Sequence, residues 1–375
     1  MRKAIPAFRS ILVMAILVVP AAFPQETVTL PAKPKNPQAG RTLGLREVFR
    51  ISDAEGGFFF KNPGKIQPAP DGGALVVDED EFLRFDAAGK FMVNMFRAGQ
   101  GPGEFHQIEN YLVGDDRVLA FQANPMKLVQ MNFDGKLFGE VKPDATVSTL
   151  LGRLGDRLLA AAHAFPALDK VQKTEGELLD ILWNLVLVSD EGHVEATALT
   201  YPTKWFAKRI NARAFVSDNV TFLLCVPLGN GLAAVANEEF YVIKIVDPAR
   251  GATLRTIRRD YRRVKYEPEK PADPDAPRRM ALPVSHFNDI QKLFAVDGSI
   301  WAVTSTIDPA KGVLVDVVSP AGEWLDSFYL PLPKGVGIHA LARYPLTISG
   351  KNAFVAETLE DGRVEVVKYQ IVDPR

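Results

Sequence analysis

Short apolar runs recur along the chain from about Leu45 onward, each bounded by Gly- or Asp-containing turns. The clearest copy spans Lys65 to Phe105. Ile66 lies in a first strand, and Pro70-Asp71-Gly72-Gly73 forms a turn. Ala74-Leu75-Val76-Val77-Asp78 is a second strand and Phe82-Leu83-Arg84-Phe85-Asp86 a third. The turn Ala87-Ala88-Gly89-Lys90 then leads into a fourth, Phe91 to Phe96. Asp-Gly and Gly-Gly between such runs are favoured hairpin chemistry.

Five further copies follow. Their second strands start at Val118, Leu158, Leu232, Ile300 and Ala353. Gly89, Gly135, Gly192, Gly251 and Gly322 mark the turn before strand four, roughly 45 to 70 residues apart. Four strands per repeat at that period predict an all-β, six-bladed β-propeller of four-stranded antiparallel blades. The period is too long for the hairpins of a β-sandwich. The sixth copy runs out near Ile371, and Leu45 to Ile51 supplies its missing last strand. That N-terminal strand closes the ring and removes sheet edges. Seven blades follow instead if Thr200 to Val226 hides another sheet. Two insertions lengthen the later copies. His163 to Leu182 contains GELLDIL, read as one or two helical turns, and Tyr261 to Pro283 reads as a charged, Pro-rich surface loop.

The N-terminus has a different pattern. Arg2, Lys3 and Arg9 precede the apolar run Ile11 to Val19, then Pro20 and the small pair Ala21-Ala22. Residues 1–24 are thus expected to be a signal peptide, with an uncleaved anchor as the alternative. Residues 25–43 form a Pro-rich linker, and 44–375 a single propeller domain. The expected location is periplasmic or secreted, with no transmembrane segment in the mature chain. Over 375 residues, 44 Lys+Arg against 45 Asp+Glu offer no electrostatic case for nucleic acid. The lone Cys225, among Leu223, Leu224 and Val226, excludes an internal disulfide and reads as a buried, inert thiol.

The string Ala98 to Phe105, AGQGPGEF, follows strand four of the first blade. With Pro70-Asp71-Gly72, Val77-Asp78 and Phe85 to Gly89, it resembles NHL-repeat-like and TolB-like bacterial six-bladed propellers. Asn124 to Leu128 and Phe133-Asp134-Gly135 resemble them more weakly, and the family's Asn-His-Leu triplet is absent. The resemblance implies the propeller architecture. Gly101 and Gly103 are expected to allow positive φ between sheets, with Pro102 stiffening the turn. A structural role for this string outweighs a binding-loop role.

No nucleotide loop, Gly-x-Ser-x-Gly elbow, His-Glu-x-x-His or Cys-x-x-Cys is present. His106, His286 and His339 each precede an innermost strand, so they are candidates for a divalent metal in the channel. The resemblance implies such a metal in amidating lyases. In lactonase-like propellers it implies a cation held by Glu, Asn and Asp, for which Glu104, Asn110, Asn288 and Asp289 are unspecific candidates. Loop histidines without a metal are the simpler reading. Tyr201 and Trp205, in a segment containing Lys204 and Arg213, form a candidate binding hot spot, although packing between blades 3 and 4 accounts for them better. The basic run Arg255 to Lys265 reads as a solvated face.

The expected function is an exported, non-enzymatic binding or scaffold protein for a protein, peptide or glycan partner, requiring no cofactor. The alternative is a metal-dependent hydrolase or lyase with its site in the channel.

Overall fold

The computed structural model describes residues 25–53, 57–144, 147–164, 176–211, 214–268 and 282–373. The leader expected over 1–24 lies outside them. The chain opens with β1 (Glu26–Thr29), β2 (Arg41–Thr42) and β3 (Gly44–Ile51). Blade 1 follows as β4 (Pro63–Pro68), β5 (Ala74–Asp78), β6 (Glu81–Phe85) and β7 (Phe91–Asn94). Blade 2 is β8 (Asn110–Val113), β9 (Val118–Ala123), β10 (Met126–Met131) and β11 (Leu137–Val141). Blade 3 is β12 (Thr149–Leu154), β13 (Arg157–Ala164), β14 (Leu178–Val188) and β15 (Val194–Asn211), with β16 (Ala214–Asn219) as a fifth strand. Blade 4 is β17 (Leu224–Pro227), β18 (Ala233–Ala236), β19 (Val242–Asp247) and β20 (Ala252–Arg258). Blade 5 is β21 (Ile290–Val296), β22 (Ser299–Asp308), β23 (Gly312–Val318) and β24 (Trp324–Leu330). After the short helix α1 (Ile338–Leu341), blade 6 is β25 (Thr347–Ser349), β26 (Asn352–Thr358) and β27 (Val364–Val372). Its outer strand is β3, antiparallel to β27 from Val372↔Gly44 to Val366↔Ile51.

The architecture is therefore a six-bladed propeller. The first strands β4, β8, β12, β17, β21 and β25 touch in succession, and β25 returns to β4, which closes the ring around the channel. Each blade is flanked by a neighbour on both faces. The second strands are accordingly apolar on both faces, and Ala74 to Asp78 are all buried. The fourth strands are half-exposed, as in β7, where exposed and part-buried positions alternate. Every blade interface has its own core. Phe82, Phe105 and Tyr111 pack between blades 1 and 2, and Phe49, Phe60 and Phe354 pack between blades 6 and 1. The marker glycines at 89, 135, 192, 251 and 322 all have φ between 61° and 87°, the left-handed region that disfavours other residues.

The structure departs from the sequence reading in four places. GELLDIL is not helical. Its Leu178 to Leu182 begin β14, with Leu179 and Ile181 buried and their neighbours exposed, a period of two. Thr200 to Val226 is no seventh blade: it forms the upper part of β15, then β16 and β17. The stretch 25–43 is extended, but it is also paired. β1 adds in parallel to β20, and β2 in parallel to β24, so the strap covers the outer edges of blades 4 and 5. Leu30 and Leu43 are buried beneath it, and Glu26 pairs with Arg255. Finally, the basic run is not simply solvated. Arg259 pairs with the fully buried Asp316 and lies 4.2 Å over the Trp324 ring, and Arg263 bonds Asp289 at 3.2 Å.

Candidate functional site

The connections that lead into the first strands gather at one end of the channel, and they carry most of the candidate residues. Their polar side chains mainly tie blade to blade. Gln67 donates to the Tyr111 carbonyl at 2.7 Å, and Asn110 donates to Thr149 Oγ1 at 3.1 Å. Thr347 closes the ring by donating to the Ile66 carbonyl at 2.6 Å. Asn288 donates to the Val220 carbonyl at 2.8 Å, and Arg343 pairs with Asp218. Two of the expected oxygen ligands, Asn110 and Asn288, are thus engaged as struts. Asp289 is another: it accepts from the Tyr241 N–H at 2.9 Å and from Arg263, and burial pushes its carboxyl up to about 6. Glu104 accepts from the Gly101 N–H at 2.8 Å and so braces the glycine string. Within that string Gly103 has φ 73°, as expected, whereas Gly101 does not have positive φ. Phe105 is buried and stacks on Phe96.

The three histidines do not converge. His106 lies between blades 1 and 2. His286 bonds Ser285 Oγ through Nδ1 at 2.9 Å, and its backbone bridges Lys265. His339, on α1, packs edge-on against Phe287 and Tyr266 at 5.0 and 5.8 Å. Among the described residues no three His, Cys, Asp or Glu side chains gather where they could hold a metal ion. Tyr201 and Trp205 are 5 % and 8 % exposed, too little for a surface hot spot. Tyr201 packs between blades 3 and 4 beneath Lys244, and Trp205 packs on Leu179 and Ile181 of the extended hairpin. Burial pushes the Cys225 thiol up to about 12, which keeps it inert.

One cleft is built differently. It has a volume of about 580 Å³ and lies between blades 1 and 2 at the same end of the channel. Asn62 and Lys65 enter from the start of blade 1, Glu79 and Asp80 from its β5–β6 turn, and His106, Gln107 and Glu109 from the connection into β8. Asp78 sets the entrance by accepting from the N–H groups of Lys61 and Asn62, both at 2.7 Å. Glu79 takes φ 48° at the tip of the turn. Lys61 neutralises part of the rim through Asp80 at 3.0 Å and Glu79 at 3.3 Å.

The side chains of Asn62, Lys65, His106, Gln107 and Glu109 make no hydrogen bond or ion pair with any described residue. The contrast with other enclosed lysines is direct. Lys127 bonds Gly101 O and Glu140, Lys244 bonds Asn237 and Glu238, Lys292 bonds Ala342 O, and Lys368 bonds Gly72 O. Burial lowers Lys65 to about 8, opposed by the charge of Glu109, which lies beyond ion-pair distance. Sequence reasoning placed only His106 here. Lys65 and Glu109 carry no motif, and only the packing of two blades makes them neighbours.

Residues 59–258, more than half of the chain, match the model of a family described as 6-bladed beta-propeller, DUF5128. The chain belongs to this family. No curated protein matches this DUF5128 chain. Among solved structures it is similar to a candidate exported protein of Bacteroides fragilis, at 11 % identity and TM-score 0.50, over 92 % of this chain and 100 % of that one. A member of the DUF4221 family from Bacteroides vulgatus is similar at 8 % identity and TM-score 0.50, over 89 % and 99 %. At these identities the likeness is one of fold. No helix among the described residues of the DUF5128 chain is long and apolar enough to cross a membrane.

Proposed function

We propose that this propeller is an exported binding module, periplasmic or secreted, that holds a ligand without a catalytic step in the cleft between blades 1 and 2. The observation that carries the reading is the group of five polar side chains left unengaged in a single concavity. On the same face Asn110, Asn288, Asp289 and Thr347 are tied up in joining the blades. Lys65 and Glu109 are part-buried without partners, which favours a ligand that completes them, while the exposed Asn62, His106 and Gln107 line the mouth. The volume falls within the range of about 300–1,000 Å³ usual for small-ligand sites. The basic leader pattern at Arg2, Lys3 and Arg9, followed by Ile11 to Val19, supports export. The Ala98 to Phe105 string and the blade 1 turns support kinship with NHL-type propellers.

The test is ligand-observed NMR of the purified propeller against a mixed library of short peptides and oligosaccharides. A Lys65→Met, Glu109→Gln double variant is run beside the wild type. Saturation transfer to a library member that disappears in the variant, while the variant keeps a cooperative unfolding transition, supports the cleft. Equal transfer in both proteins, or none in either, refutes it.

A further inference from the structure

We infer that the projecting part of blade 3 is a hinged flap at the end of the channel, latched by the ion pair between Asp218 and Arg343. The flap arises from unequal strand lengths. β12 starts at Thr149, opposite Ala161, and the pairing of β13 with β14 ends at Ala164↔Leu182. β14 and β15 stay paired beyond that point, out to Leu178↔Phe206. β16 lies along the same stretch of β15, with Asn219 opposite Trp205 and Asp218 opposite Phe206. These strands therefore project past the inner strands of their own blade, at the end where the connections into the first strands gather.

The projection has a core of its own. Leu179, Ile181, Trp205 and Ala207 are buried as a small cluster apart from the cores between the blades. At its base, Trp183 and Tyr201 join the core between blades 3 and 4. A strand group with a separate core can tilt as one body about such a base. Asn237 of blade 4 fixes that base by donating to the Pro202 carbonyl at 3.0 Å. Farther out, Asn288 donates to the Val220 carbonyl at 2.8 Å, and Arg343 pairs with Asp218. Among the described residues this is the one ion pair between the projection and another part of the ring.

The place and exposure of the pair suit a latch. Asp218 precedes β17 of blade 4, and Arg343 precedes β25 of blade 6, while β21 of blade 5 stands between those two strands in the ring. The pair thus runs over the end of the ring, past blade 5, rather than along a blade interface. The Arg343 side chain is 64 % exposed and that of Asp218 28 %. An ion pair so open to water holds weakly and responds to salt, so it biases the flap toward the closed position without locking it.

The experiment is hydrogen exchange followed by mass spectrometry on the full mature chain, comparing wild type, Asp218→Asn, Arg343→Gln and the double variant. Amides of Leu178 to Trp183 and Tyr201 to Ala207 are expected to exchange about two- to fivefold faster in each single variant, the range for loss of an exposed ion pair. The double variant is expected to be no faster than the singles, and β5, β9 and β26 to stay unchanged. Raising salt to about 1 M should speed the same amides in wild type and leave the double variant unaffected. Unchanged exchange in the flap overturns the latch. So do single effects that add in the double variant, acceleration spread evenly over the blades, or an equal salt response in wild type and double variant.

Discussion

Lys65 and Asp316 show opposite ways of handling a charge away from water. Asp316 is fully enclosed but matched: Arg259 pairs with it, Ser327 donates to it at 2.8 Å, and three aromatic rings surround the guanidinium. Removing one member strands the other. Asp316→Ala is expected to cost about 3–5 kcal/mol in denaturant unfolding. Lys65 has no such match. Its amine falls from the ordinary 10.5 to about 8 in the folded protein, so the folded state releases that proton before the unfolded state does. The resulting penalty is full below pH 8 and is relieved as pH rises from about 8 to 10.5. Lys65→Met is therefore expected to raise stability at neutral pH and to flatten the stability profile across that window. Lys292, lowered to about 8 in the same direction, provides the unchanged background. Thermal melts of both proteins between pH 7 and about 10.5 read the difference. A wild-type profile with the same slope as the variant's rejects the account. Neither residue announced its state in the sequence, where Lys65 reads as an ordinary strand lysine.

At the scale of elements, hairpin turns and second strands were legible because local chemistry dictates them. Gly89, Gly135, Gly192, Gly251 and Gly322 all adopt the left-handed conformation that their turns demand. The strap over 25–43 was legible only as extended chain, because its Pro and Gly content says nothing about what it lies on. Its two parallel additions cover β20 and β24, edges that would otherwise be open to association. Deleting residues 25–43 while keeping β3 is expected to leave a folded propeller. Losing the burial of Leu30 and Leu43 should lower the melting temperature by roughly 5 °C or more, and light scattering should show self-association. An unchanged melt and a monodisperse monomer would show the strap to be dispensable. The GELLDIL segment was misread because seven residues of mixed polarity fit a helical turn and a strand equally well. Pairing of β14 with β15 over its full length settled the choice.

At the scale of the whole molecule, the ring is held by one long-range pairing that its other sheets do not need. β3 lies more than 300 residues from β27 in the chain and completes the sixth sheet. Removing β3 along with the strap leaves β27 as an open edge, takes Phe49 and Ile51 out of the core and uncovers Phe354. In contrast to the strap deletion, truncation through Ile51 is expected to abolish the cooperative unfolding transition, as followed by near-ultraviolet circular dichroism. A sharp transition in that truncation would mean that five blades and three strands suffice.

The sequence by itself determined the all-β class, the repeat and the six blades, because turn glycines and doubly buried second strands are local or short-range requirements. It also determined that Cys225 forms no internal disulfide. What only the tertiary structure decided is which polar side chains are used up in joining blades and which are left over. Asn110, Asn288 and Asp289, unspecific ligand candidates in the sequence, are struts. Tyr201 and Trp205, candidates for a contact surface for which packing was the better reading, are packed. His106, His286 and His339 share a sequence position relative to their blades, yet they sit on different parts of the ring. Lys65 and Glu109 become a pair only when two blades pack side by side, because donor and acceptor balance is a property of three-dimensional neighbours.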